Sequence, residues 1–162
     1  MTYTTFSGDT PALASEINEN LTYFPRYDYI GQDQTLGSTS ASTETKIGEV
    51  TIPANTVTNG VLVFATGVLR MTGGGIQPNN GTITLRAGAS TTITSNTSEK
   101  SIQRSFDSVA GINAGWTSGW TIIKYVTSPT WSSTNYIQIG GSNNNGAGTS
   151  RVDCESLVVL QF

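Results

Sequence analysis

The sequence predicts a mainly β protein, an antiparallel β-sandwich of jelly-roll type preceded by a short N-terminal α-helix and an extended linker. Three observations lead there. Only residues 11–24 carry apolar groups at helical spacing. Everything after residue 30 breaks into short apolar or alternating runs separated by Gly and Asn. Charged residues are 12% of the chain, against a typical quarter, and Gly, Ser, Thr and Asn are plentiful in their place. At 162 residues the chain is long enough for one domain with a real core and one further short segment. The expected division is an arm over 1–43, with its helix at about 11–24 and a linker behind it, and a sandwich over 44–162.

In the helix, Leu13, Ile17, Leu21 and Phe24 fall in one narrow stripe, while Ser15, Asn18, Glu19 and Thr22 point away from it. Thr10 suits the N-cap, Pro11 the first helical position, and Glu16 and Glu19 sit towards the positive N-terminal end. Pro25 ends the helix by disfavouring α geometry at Phe24. A helix this short is marginal alone in water, so the stripe must pack on something. Its own β domain is one partner. The other, which is preferred, is a parallel bundle of identical helices, with Leu13, Ile17 and Phe24 at heptad spacing and Asn20 at the remaining seam position, where a polar residue fixes register.

Phe6, Gly8-Asp9-Thr10, Ala12, Ala14, Glu16-Ile17-Asn18, Asn20-Leu21 and Phe24 together resemble the G-T-x-A-x-A-x-x-[VI]-N-x-N-[FL] segment near the N-termini of tailed-phage fibre, spike and other virion appendage proteins. The resemblance covers residues 6–24. It departs from the commonest form in the inserted Asp9 and in Leu21 where Phe is frequent. It implies a structural virion protein that is trimeric and carries a β-rich distal domain. The self-association and anchoring residues expected on this basis are Leu13, Ile17, Asn20, Leu21, Phe24, Tyr27 and Tyr29. The other partners would be capsid, tail or baseplate proteins.

Residues 25–31 read as an extended aromatic connector, and extended arms with alternate aromatic groups commonly lie along a partner surface. Residues 36–43 are almost purely Gly, Ser, Thr and Ala and read as linker. Strands follow at 47–52, 60–71, 82–87, 90–97, 101–109, 119–127, 135–140 and 154–162, the fourth being the weakest. Seven or eight strands at this spacing argue for a sandwich, and eight suits a jelly roll. Val61-Leu62-Val63-Phe64-Ala65 breaks the alternation, and Leu157 to Leu160 does the same, so both faces of two strands need cover. This favours a homo-oligomer, since exposed apolar area drives association.

The chemistry is informative by omission. The chain has no histidine, which removes the Ser-His-Asp and Cys-His arrangements and the commonest zinc ligand. Gly73-Gly74-Gly75 lacks the Lys-Ser or Lys-Thr of a phosphate cradle. Asp153 and Glu155 are two apart on a strand, roughly 6 to 7 Å, but nothing marks a substrate groove beside them. Asp33, Asp107 and Asp153 lack calcium-loop spacing. Cys154, the single cysteine, reads as a small buried apolar group. No enzymatic activity, cofactor or metal is expected. A net charge of −3 without any Lys or Arg run argues against nucleic acid. No apolar stretch approaches the roughly 20 residues of a membrane span, and Met1 to Phe6 lacks a signal-peptide pattern. The expected location is the virion, after assembly in a host cytoplasm.

Three tryptophans remain. Trp120 lies in a strand pattern with Ile122 and Val126 and reads as core. Trp116 and Trp131 sit among Gly, Ser, Thr and Pro, where an exposed indole can stack on a sugar ring. A glycan-binding module built from Trp116, Trp131 and Asn144, within Asn143 to Asn145, is therefore the alternative to a purely structural role.

Overall fold

The computed structural model describes residues 28–32, 36–72, 79–106, 115–143 and 150–161. The predicted helix and the anchoring residues Leu13, Ile17, Asn20, Leu21, Phe24 and Tyr27 lie outside them. The strands are β1 (Asp28–Gln32), β2 (Ser38–Thr39), β3 (Thr45–Ile52), β4 (Val61–Met71), β5 (Asn79–Gly88), β6 (Thr97–Phe106), β7 (Thr117–Val126), β8 (Asn135–Asn143) and β9 (Ser150–Gln161). They form two antiparallel sheets. The first has the order β1-β9-β4-β7, with β2 also on β9, and the second has the order β3-β8-β5-β6.

The pairs nest. Around the β5–β6 hairpin lie β4 with β7, then β3 with β8, then β1 and β2 with β9. The described chain is thus one long antiparallel hairpin wound across two layers, and the β4–β9 and β5–β8 pairings complete the sheets. The core lies between the layers. Val61, Val63, Ala65 and Leu69 on β4, Ile122 on β7, and Leu157 and Val159 on β9 meet Ile83, Leu85, Ile137 and Ile139 from the second sheet. Alternate residues of β4 are buried along its whole length, as a sheet with one face on the core requires. Trp120, 2% exposed, and Cys154 are both core, in agreement with the sequence.

The winding gives the sandwich two distinct ends. Met71 pairs with Ser150, Arg70 with Thr117, and Gly81 with Asn143, so the Gly- and Asn-rich connections 72–78, 107–114 and 144–149 all leave from one end. At the other end Val61 pairs with Val126 and Gln161, and Asp28 also pairs with Gln161. The segment before β1 therefore joins the domain at the end away from those connections.

Two local expectations change. Residues 28–32 and 38–39, read as connector and linker, are strands on β9, so the sheet takes in chain that the sequence assigned to the arm. Residues 90–97 do not form a strand but a loop with a 3-10 turn at Ile93–Ser95. Asn96 is the cause. Its Oδ1 accepts from the Ser90 amide at 3.0 Å and its Nδ2 donates to the Ser90 carbonyl at 2.7 Å, a local closure that competes with strand pairing. Strand β6 then starts at Thr97. It is an edge strand, lined on its exposed positions with Ser, Lys, Gln and Arg, the composition that discourages edge-to-edge pairing.

Candidate functional site

The two outer faces of the sandwich differ in kind. On the second sheet, loop 89–96 lies over the strands and is held by a polar network. Gln138, fully buried, donates from Nε2 to Glu49 Oε2 at 2.7 Å and to the Thr91 carbonyl at 3.1 Å, and its Oε1 accepts from Asn96 Nδ2 at 2.8 Å. Lys46 Nζ meets the same Glu49 oxygen at 2.7 Å. Beside them Arg86 grips Glu44 with two hydrogen bonds, Nε to Oε1 at 2.8 Å and Nη2 to Oε2 at 2.7 Å, and donates from Nη1 to the Asn96 carbonyl at 2.8 Å. The hydrogen bonds to Glu44 raise the Arg86 pKa above its ordinary value, against a smaller opposing effect of burial. Loop 89–96 thus covers the part of this face around Gln138.

The outer face of the first sheet is apolar at one end. Leu62 pairs with Tyr125 on one side and Leu160 on the other, and Phe64 pairs likewise with Ile123 and Val158. These six alternate with core residues and form two rows of three across β7, β4 and β9. Ile123 is 53% and Tyr125 44% exposed, and the rest are half-buried. Tyr29, the one predicted interface residue within the described strands, is the register partner of Leu160. The rows lie at the end where the arm joins.

The other end of that face is charged. Asp153, 7% exposed, sits between two guanidinium groups, with Arg70 Nε donating to Oδ2 at 3.0 Å and Arg151 Nε 2.9 Å from Oδ1. Glu155 lies 3.9 Å from Arg70 Nη2 and is exposed. A bulge separates the two carboxylates, since Thr66 pairs with Ser156 but Gly67 with Cys154. Asp153 and Glu155 are thus parts of one ion cluster tied by Arg70. Asp33 and Asp107 of the calcium candidate lie outside the described residues. Among the described residues, no group of three or more Cys, Asp or Glu side chains is placed to hold a metal ion.

The two tryptophans of the glycan candidate are not brought together. Trp116 stands beside the Gly- and Asn-rich connections, its carbonyl accepting from the Met71 amide at 2.8 Å and its side chain 51% exposed. Trp131 lies in the loop before β8 at the opposite end, packed against the core, with its carbonyl bonded to the amide of Asn55 at 2.8 Å. Asn144 lies outside the described residues; Asn143, just before it, is at the Trp116 end and is buried, donating to the Ser150 carbonyl at 2.8 Å.

No family model matches the chain, and no curated protein matches it. Among solved structures, a chain of the T13 IBDV viral particle is similar at 12% identity and a TM-score of 0.41, over 84% of this chain and 30% of that one. The protein thus spans under a third of that chain, and a likeness this distant carries no functional weight.

Sequence reasoning found the Leu62, Phe64, Val158 and Leu160 part of the apolar rows, because adjacent apolar residues broke the alternation. It missed Ile123 and Tyr125. The signal was present in Ile122-Ile123, where two β-branched residues follow each other and only one can face the core.

Proposed function

We propose that this protein is a structural subunit of a tailed-phage particle, a fibre, spike or capsid-decoration protein that works as a homo-oligomer of three copies and is attached through its N-terminal arm. One observation carries the reading: the arm joins the sandwich beside an exposed apolar face, while the Gly- and Asn-rich connections leave from the far end. That polarity suits a subunit held at one end and presented at the other. The nested strand order is that of a jelly roll, an arrangement that recurs in viral capsid and lectin domains. The N-terminal likeness to virion appendage proteins supplies the phage context and the number three.

Sedimentation equilibrium of the full chain and of a form lacking residues 1–27 tests the oligomer. A trimer that weakens without the arm supports it, and a monomer at all concentrations overturns it. Gold-labelled antibody on purified particles tests the location, which regular labelling supports and absence of label refutes.

A second reading, recognition of a host glycan at the far end, has Trp116 in its favour, because a half-exposed indole beside polar loops is a stacking surface for sugars. Trp131 belongs to the opposite end and drops out of it. Glycan-array binding lost in Trp116→Ala would establish this role, and a flat array would remove it.

A further inference from the structure

Asparagine followed by glycine is the dipeptide in which a chain most readily modifies itself, because glycine has no side chain to shield its amide nitrogen from the carboxamide before it. The sequence holds three such pairs, Asn59-Gly60, Asn80-Gly81 and Asn145-Gly146. The last lies outside the described residues. The other two have the same chemistry in different settings.

Asn80 and Gly81 are inside β5. Asn80 pairs with Ser105, and Gly81 pairs with Arg104 on one side and Asn143 on the other. Gly81 is buried, and a Cβ on it would meet Val152 and Leu69. A strand held in a ladder directs the asparagine side chain out of the sheet, away from the next peptide nitrogen, and turning the peptide towards it would break the pairing.

Asn59 and Gly60 lie between β3, which ends at Ile52, and β4, which begins at Val61. The first part of this connection is tied down. The Asn55 amide donates to the Trp131 carbonyl at 2.8 Å, the Thr56 hydroxyl donates to the Pro53 carbonyl at 2.7 Å, and Val57 is buried. Thr58 and Asn59 are exposed and form a bend outside any ladder, so Asn59 is free to rotate. Gly60 is buried again, and the fold requires a glycine there: φ is +157°, and a Cβ would meet the Val126 carbonyl at 2.6 Å and the Tyr125 ring at 2.9 Å.

We propose that Asn59 is a site of spontaneous deamidation in the folded protein, with Gly60 as the nucleophile and solvent water as the co-reactant. The Gly60 amide nitrogen gives its proton to solvent base and attacks Cγ of Asn59. The N–Cγ bond forms, the Cγ–Nδ2 bond breaks, and Nδ2 takes a proton from water and leaves as ammonia. Water then opens the resulting succinimide. Opening at Cγ leaves aspartate, and opening at the Asn59 backbone carbonyl leaves isoaspartate, in which the chain runs through the side chain and gains one atom. Nothing is oxidised or reduced. Either product adds a carboxylate to a chain of net charge −3. Isoaspartate places its extra atom just ahead of Val61, which is fully buried and pairs with Val126 and Gln161.

The test is peptide mapping by mass spectrometry of the full chain, held folded at mildly alkaline pH and sampled over days, with isoaspartate scored by an isoaspartyl methyltransferase. The expected result is conversion at Asn59 at least about tenfold faster than at Asn80, whose strand must open first. Conversion of Asn59 only after unfolding in urea overturns the proposal, as does conversion of Asn80 at the same rate in the folded chain. A mixture of isoaspartate and aspartate at position 59 is the mark of the cyclic intermediate. Aspartate alone means direct hydrolysis and overturns the role given to Gly60.

Discussion

The indole of Trp120 lies directly against the backbone of Gly67, its register partner on β4, and donates from Nε1 to the Asp153 carbonyl at 3.1 Å. A Cβ on Gly67 would collide with both the ring and that carbonyl. Gly67→Ala should therefore cost about 2 to 3 kcal/mol, as overpacking in a core does when neither neighbour can move away. Gly119→Ala is the control, since a Cβ there meets nothing within 4 Å and the change should be close to neutral. Urea midpoints of the two variants check the contrast.

Gln138 is the hub of the polar cover on the second sheet. Gln138→Ala removes one partner of Asn96 and one of Glu49, in a place where water enters poorly, and should cost about 1 to 3 kcal/mol. Hydrogen exchange should rise in residues 89–96 before it rises in β5 or β8. Uniform exchange along the chain would show that the network does not hold the loop.

The Arg86 and Glu44 pair is half-buried and doubly bonded, so Arg86→Met should lower stability by about 1 kcal/mol, the upper part of the range for a pair that water still screens. The sign with pH follows from the raised Arg86 value. A group held above its unfolded pKa contributes in full below that unfolded value and loses the contribution only as pH climbs through the folded one. The difference between wild type and Arg86→Met should therefore stay constant from neutral to moderately alkaline pH. A difference that shrinks already by about pH 9 contradicts it, because the guanidinium stays protonated far above that.

Trp116 and Trp131 should separate by measurement as they do by position. Trp116→Ala should change stability by less than about 0.5 kcal/mol, as surface substitutions do. Trp131→Ala removes a ring packed on the core and should cost about 2 kcal/mol or more. Thermal unfolding of the two variants decides it.

The sandwich was legible in the sequence because its strands obey a period of two over most of their length, as in Ile83, Leu85 and Ala87, with Gly and Asn marking the turns between. The strand β1 was not legible, since five residues that earn their place only by pairing with β9 carry no periodic pattern of their own. The run 90–97 misled for the opposite reason: its Thr and Ile residues favour strands, but the Asn96 side chain closes a local loop that no propensity scale records. The separation of Trp116 from Trp131 was beyond reach, because both lie in similar Gly, Ser and Thr surroundings and only the winding of the hairpin assigns them to opposite ends.

The antiparallel pairing of β1 with β9 also has a mechanical side. Tension entering at Asp28 along the line of β1 is parallel to the strand, so the bonds from Asp28–Gln161 to Gln32–Val158 share it in shear and must fail together. Peeling, in which bonds open one after another, would need a sideways tug. Pulled from its first residue, β1 therefore holds best along its own axis.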